Sequence, residues 1–507
     1  MHQPPSVPVS SLVWVFLITV MVGVGGWLRF VHLDARPVHT DEGVNGLIEG
    51  ELLETGKYRF DPKHYHGPLL HYLVVPAAWV RGERTTADLR IETPRMVTAF
   101  FGTLSILLPL MFRRTIGLRA AALGGAAIAL SPMLVYYSRY SIHETVFVAL
   151  SFVFLGANWH WLRGGTIRWA VAAGAAAGLM HASKESSAIS WLAAFCASFA
   201  VLWVSDAARR RAMFRRDVHT LGWGLLAGLA VSLTLYSAFF QHWRGALDSI
   251  TAIFVFEPVP GHEKPWSYYF GGFWPWGKGM VGTTEWPIVL AALPALFCLQ
   301  GSGDRASCVR YLWIYAAALA AVYATIAYKT PWLALGFYQA LAVLAGVGID
   351  QCLRGPRWIK TCAVVLALAG AVVLGRSAWT TAVPLAASDR NPYSYSATAP
   401  GLERTVRRLR TLSRQQQDLV IAAVDDYWPL PWYLRGMDNV GYWPNAASAE
   451  GVSADIWIAT AKEAVPLAER LGAEFRPEIV GLRMDTPVYV FIRESVWRPW
   501  ISTAREK

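Results

Sequence analysis

The chain has 507 residues, 54% hydrophobic and 16% charged, with a mean hydropathy of +0.33. Soluble domains are nearer a quarter charged, so this apolar content exceeds what one aqueous core can bury. The net charge of +11 does not indicate nucleic acid, because the excess arginine lies in short loops between apolar stretches and no basic patch is interleaved with aromatics.

The first apolar segment, 11–31, has no basic residue before it and is followed by Arg29 and Phe30 rather than a small-residue cleavage site, which predicts a retained helix. A polar loop, 32–94, contains one apolar stretch, Pro68 to Val80, too short to cross a bilayer and expected to be interfacial or re-entrant. Further spans are predicted at 95–112, 119–136, 144–162, 168–183, 186–204, 220–240, 286–300, 310–327, 332–352 and 359–380, about eleven transmembrane helices in all. Ala170 to Gly178 and Ala120 to Ala129 are rich in small residues, as expected where helices pack closely in lipid. The loop 241–285 is aromatic, with Trp266, Tyr268, Tyr269, Phe270, Phe273, Trp274 and Trp276. From 381 the chain turns polar: Leu419 to Val424, Asp455 to Ala459 and Pro487 to Arg493 read as strands and Ala461 to Leu471 as a helix. The expected fold is an all-α polytopic membrane domain, 1–380, followed by a small α/β domain, 381–507.

Alternate loops carry the arginines: Arg113, Arg114 and Arg119; Arg163 and Arg168; Arg209, Arg210, Arg211, Arg215 and Arg216; Arg305 and Arg310; Arg354, Arg357 and Lys360. The positive-inside rule makes those five loops cytoplasmic, with the N-terminus inside and the C-terminal domain outside the cell membrane. Arg29 and Arg36 dissent, since they follow the first helix. Cys196, Cys298, Cys308, Cys352 and Cys362 lie in or beside apolar stretches, which argues against a disulfide framework and a CxxC zinc site.

Five groups could carry chemistry. Asp41 and Glu42 follow the first span by ten residues; a carboxylate there can take a proton from an attacking hydroxyl or amide, or the pair can simply open a helix. Arg139, His143 and Glu144 lie between two spans, where Arg139 could fork onto a phosphate or anchor to lipid headgroups. Lys184 and Glu185 occupy another outer turn, and Lys329 precedes Pro331 in a third, as a point charge for phosphate or a snorkelling lysine. His64, His66 and His71 complete the set; His-x-His spacing suits a divalent metal, which stays open without a third ligand, and substrate contact or loop packing is the better reading. No cofactor is otherwise implied. Conspicuous ionisable residues therefore gather in the outer turns, where nucleotide sugars are scarce, and a lipid-linked donor follows.

The Asp-Glu pair in the first outer loop, the many later helices and the C-terminal outer domain resemble the GT-C superfamily, which includes protein O-mannosyltransferases and lipid A aminoarabinose transferases. The segments Tyr65 to Leu70, Tyr136 to Glu144 and Trp428 to Arg435 resemble, more narrowly, the glycosyltransferase-39-like or flippase-activity-associated membrane proteins. The resemblance implies a polyprenyl-phosphate sugar donor, a base at Asp41 with Glu42 beside it, and Lys329 facing the lipid phosphate. The acceptor would be a lipid, glycan or protein. A flippase component for lipid-linked glycans is the alternative, and it predicts ionisable residues at mid-membrane depth. Trp428, Trp432, Trp443 and Trp457 read as C-terminal core before sugar-stacking surfaces.

Overall fold

The computed structural model describes residues 11–204, 207–255, 261–270 and 285–503. The chain forms two compact units. One comprises Met1–Leu33, Lys57–Leu73 and Arg95–Pro384; the other joins Asp34–Gly56 and Val74–Pro94 to Leu385–Lys507.

The first unit is helical. Among the described residues, eight helices are long and apolar enough to span a membrane: Leu12–Phe30, Glu92–Ile116, His143–Gly164, Ser187–Val204, His219–Tyr236, Asp304–Thr325, Pro331–Cys352 and Arg357–Ala382. A ninth arises if Leu118–Leu130 and Pro132–Ser138, bent by 61°, form one span. The bend sits at Ser131, whose hydroxyl accepts from Leu134 N at 3.2 Å, before a proline that cannot continue the hydrogen-bond ladder. The sequence predicts about eleven spans, and two of the differences have a plain physical reason. The segment expected at 168–183 is the 15-residue helix Ile167–His181, about 22 Å long against a hydrocarbon core of roughly 30 Å. The segment 286–300 passes from an α-helix, Trp286–Ala292, to a 3-10 helix, Leu293–Gln300, near Pro294.

Small residues let these helices touch. A Cβ on Gly174 would lie 1.8 Å from the carbonyl oxygen of Gly224, and one on Gly178 would lie 2.4 Å from that of Gly228. Helices Ile167–His181 and Ala207–Tyr236 therefore meet backbone to backbone through two glycines each. At one end of the bundle the buried Asp350 gathers Arg119, Arg305 (2.7 Å) and Arg354 (3.0 Å), while Arg163 pairs with Asp304. Four of the five arginine loops thus share an end, as their alternation predicts. The side chains of 207–218, which include the arginines of the remaining loop, lie outside the described residues.

The second unit holds a five-stranded sheet in the order β2-β1-β3-β5-β4, with β1 Ile421–Val424, β2 Val440–Trp443, β3 Ile456–Thr460, β4 Phe475–Arg483 and β5 Thr486–Arg493. β1 pairs parallel with β2 and β3; β5 pairs antiparallel with β3 and β4. The expected strands correspond to β1, β3 and β5, and Ala461–Leu471 is helical as predicted. The two strands the sequence did not signal are the edges. β4 carries Pro477 and Gly481 and β2 carries Gly441, residues that an edge tolerates and that read as breaks. Helix Leu402–Gln415 buries Leu402, Val406, Leu409 and Leu412 in the core on one face of the sheet. Of the four tryptophans expected in the core, Trp432 and Trp457 are buried, whereas Trp428 and Trp443 are half-buried.

Candidate active site

The first-loop helix Thr40–Thr55 begins at the Asp-Glu pair and separates its two members. His39 is the N-cap: its Nδ1 accepts from Asp41 N at 3.2 Å, and the Glu42 carboxylate accepts from His39 N at 3.1 Å. This reciprocal box satisfies two helix donors that would otherwise be orphaned. Glu42 also pairs with Arg36 at 3.0 Å and is fully buried. The Asp41 carboxylate takes no part in these hydrogen bonds: its side chain is 48% exposed and lies 3.8 Å from His39 Nδ1. That nitrogen already accepts a backbone proton, so His39 is neutral there; burial pushes its pKa down, against the pull of Asp41 and Glu42. Two turns on, Glu49 is buried on the same helix, and burial, followed by the Glu42 charge, holds its carboxyl well above the usual range.

The helix is clamped by the segment that carried the narrow family resemblance. Gly43 and Gly46 leave a flat face on which the Trp432 ring lies; a Cβ on Gly46 would sit 2.3 Å from Trp432 Cζ3. Tyr433 Oη accepts from Val38 N at 2.8 Å, and Thr398 Oγ1 donates to Val38 O at 2.6 Å. Arg435 stacks on Trp432 at 3.7 Å and donates to the carbonyls of Thr86 (3.0 Å) and Leu89 (2.8 Å). Trp428–Arg435 therefore fixes the backbone just before Asp41.

In the helical unit, three of the predicted groups meet. His66 Nδ1–H donates to the Glu185 carboxylate at 2.9 Å, Lys184 pairs with Glu144, and His143 Nε2–H donates to Gly67 O at 3.1 Å. The His66 and His143 rings stand edge to face at 5.2 Å, and His71 packs on His143 at 5.5 Å. Gly67 makes this possible: the Pro68 loop docks so closely that a Cβ there would lie 2.3 Å from Ala182 O, and Leu69 N donates to that oxygen at 2.9 Å. Burial would raise the Glu185 carboxyl, but His66, aided by Lys184, holds it down to about 2. Burial opposes the Lys184 charge as well, yet Glu144 and Glu185 keep that ammonium above its ordinary value. Lys184 and Glu144 are buried; His66 and Glu185 remain partly open, at 27% and 19% of their side-chain surface.

The other predicted contacts turn inward. Arg139 donates to the carbonyls of Leu28 (3.1 Å), Arg29 (3.3 Å), Val31 (2.5 Å) and His32 (2.7 Å), capping the end of the first helix. Lys329 is buried and donates to Lys264 O at 3.1 Å and to Ile326 O, tying 262–264 to the late turn. The expected phosphate contacts of Arg139 and Lys329 draw no support from these positions. His64 sits apart, on exposed Asp61 at 2.9 Å. Among the described residues no group of three or more His, Cys, Asp or Glu is arranged to hold a metal ion. Phe273, Trp274 and Trp276 of the aromatic loop lie outside the described residues. Arg29, which dissented from the charge pattern, donates to Gly25, Ile128 and Ala129 carbonyls from full burial, and Arg36 is paired with Glu42.

Sequence reasoning missed Gly67, Tyr236 and the glycine face of the first-loop helix. Tyr236 Oη donates to His181 O at 2.9 Å. A Gly-x-x-Gly spacing right after Asp-Glu was the available signal for the last. Beside His181, a mostly apolar cavity of about 480 Å3 opens among helices Ile167–His181, Ser187–Val204 and Ala207–Tyr236, lined by Trp191, Leu225, Leu229 and Ser232.

No family model matches the chain, and no curated protein matches it. Solved structures do. ArnT from Cupriavidus metallidurans, bound to undecaprenyl phosphate, is 16% identical with a TM-score of 0.67, covering 95% of this chain and 98% of its own. The archaeal oligosaccharyltransferase AglB from Archaeoglobus fulgidus, in complex with an inhibitory peptide and a dolichol-phosphate, is 15% identical with a TM-score of 0.58, covering 92% and 72%. The arabinofuranosyltransferase AftD from Mycobacteria is 11% identical with a TM-score of 0.53, covering 97% and 40%. Apolar helices and these likenesses together identify a multi-pass membrane protein with the GT-C fold.

Proposed function

We propose that the chain is a membrane glycosyltransferase that moves a sugar from a polyprenyl-phosphate-linked donor to a hydroxyl or amide of a lipid, glycan or protein, with Asp41 as the base. The observation that carries this reading is the division of labour in the Asp-Glu pair: Glu42 is buried in the capping box and the Arg36 pair, while Asp41 is half-exposed on the same rigid turn. Asp41 accepts the acceptor's proton as its oxygen or nitrogen attacks the anomeric carbon. The bond from that carbon to the phosphate oxygen breaks, and the lipid phosphate leaves with the electron pair. A single displacement needs only this one base.

We assign sugar contacts to His66 and Glu185, the partly open pair, with Lys184, Glu144 and His143 as the buried frame behind them. The cavity beside His181 suits a prenyl chain, since its lining is mostly apolar, with Asn158, Ser232, Ser249 and His181 as the polar side chains. The lipid phosphates bound by ArnT and AglB support a donor of this class. We assign the arginine-loop end of the helical unit, around Asp350, and the N-terminus to the cytoplasm, and the transfer to the outside of the cell membrane. Asp41→Asn is expected to abolish transfer from a polyprenyl-phosphate sugar in reconstituted vesicles while leaving insertion intact. Full transfer by that variant refutes the assignment; lipid scrambling without transfer by the wild type would favour a flippase instead.

A further inference from the structure

Helix Leu402–Gln415 carries five arginines in fourteen residues, and they divide into two classes. Arg408 has a carboxylate, pairing with Glu478 at 2.9 Å, as do Arg476 with Glu494 and Arg483 with Asp426 elsewhere in the unit. Among the described residues, Arg404, Arg407, Arg410 and Arg414 have none, and neither has Arg435, which lines the same cavity as Arg410 and Arg414. Those three arginines line one cavity of about 440 Å3, opposed only by Asp438. A second cavity, of about 330 Å3, shares Arg410 and Arg435 and adds Arg90 and Arg407 against Glu92 and Glu403.

The guanidinium groups of Arg435 and Arg410 are held in place from behind, while exposed Arg414 extends beside them. Arg435 donates once each from Nε, Nη1 and Nη2 to Thr86, Trp432 and Leu89 carbonyls, and its plane rests on the Trp432 ring. Arg410 donates from Nε and Nη2 to Tyr433 O, at 3.1 and 2.7 Å. A guanidinium has five N–H groups. Among the described residues, two of those on Arg435 and three on Arg410 have no protein partner, and every N–H of Arg414 is in the same position. The crowding has a cost: Arg435 is pushed down to about 10, first by burial and then by Arg410, and Arg410 is pushed down by burial and then by Arg414. Two preset forked donors and a third, exposed one around a cavity larger than a bare ion match a tetrahedral oxyanion carrying an organic group.

We propose that Arg410, Arg414 and Arg435 form a binding site for a phosphate ester, borne either by a phospholipid headgroup or by a soluble phosphorylated molecule. Asp41 lines neither cavity, and occupancy of the site does not depend on the transfer reaction proposed above.

The test uses the full-length protein in neutral detergent, titrated with glycerol phosphate by calorimetry at constant ionic strength. Saturable binding is expected, weakened about tenfold or more by Arg410→Gln with Arg414→Gln, since each removes charge-assisted hydrogen bonds. Arg404→Gln, on an exposed position of the same helix that lines neither cavity, is expected to bind as the wild type does. Exposed Arg414→Glu serves as the second variant should the double substitution fold poorly. Nanodiscs containing phosphatidylglycerol that compete with glycerol phosphate assign the headgroup source; no competition assigns the soluble one. Equal affinity in all variants, or binding that vanishes with modest added chloride, overturns the proposal.

Discussion

Replacing Glu42 and Asp41 separately distinguishes the structural carboxylate from the one proposed to react. Glu42→Ala removes the acceptor for His39 N, a capping interaction of about 1 kcal/mol, and the partner of Arg36 in a pair exposed by 6% and 0%. Breaking a buried pair from one side costs about 3–5 kcal/mol. Arg36 has further contacts in its pocket, so the total belongs near the lower end, about 3–4 kcal/mol. In a unit of this size each kcal/mol moves Tm by about 2–4 °C, so the fall is on the order of 10 °C. Asp41→Asn touches a half-exposed group with no tight partner, and its effect on stability is expected within about 0.5 kcal/mol. Its effect on transfer is expected to reach roughly 100-fold to 10,000-fold, the range of a lost general base. The assay pairs thermal unfolding of the purified protein with sugar transfer from the lipid-linked donor. A Glu42→Ala protein as stable as the wild type, or an Asp41→Asn protein that is strongly destabilised, refutes the division of roles.

Three further outcomes follow from the same geometry. Gly46→Val drives a branched side chain into the buried Trp432 ring and is expected to destabilise by about 1–3 kcal/mol, partly relieved by Trp432→Leu; no change in unfolding would show that the ring does not rest there. Gly67→Ala forces a methyl onto the Ala182 carbonyl, so it is expected to raise the donor KM as His66 parts from Glu185; unaltered kinetics would contradict the docked loop. Glu185 has a folded pKa of about 2 against an ordinary 4.5, so the unfolded chain binds more protons between those values. Its contribution is therefore complete above about pH 4.5 and lost as pH falls toward 2, and Glu185→Gln is expected to flatten the acid limb of a stability profile over that window.

Much of the architecture was legible because lipid and sheet interiors impose simple patterns. Long apolar runs, alternating arginine loops and the β-rich stretches at β1, β3 and β5 each answer to one physical demand. The edge strands escaped because Pro477, Gly481 and Gly441 are read as interruptions, and only the sheet order shows that they sit where interruptions are tolerated. At the candidate site, residue types were legible but partners were not. Arg139 and Lys329 look like phosphate ligands in a sequence because a cation at a membrane face is conspicuous. Carbonyls left open at helix ends, at Leu28 and Ile326, compete for the same donors, and a sequence does not display them. His66, Glu144 and Lys184 belong to three separate groups in the sequence, and only folding brings 66, 144 and 184–185 into one cluster.

The Trp432 ring on the Gly43–Gly46 face has a practical corollary for deletion work. Cutting away 390–507 would not excise a detachable module; it would strip the cover from the helix that presents Asp41 and withdraw the hydroxyls that brace Val38. An inactive truncation would then report a collapsed first loop rather than a lost binding partner. A point change at the exposed Ile479 of edge strand β4, away from Arg483 where that strand bridges to Thr398, probes the sheet while leaving that brace in place.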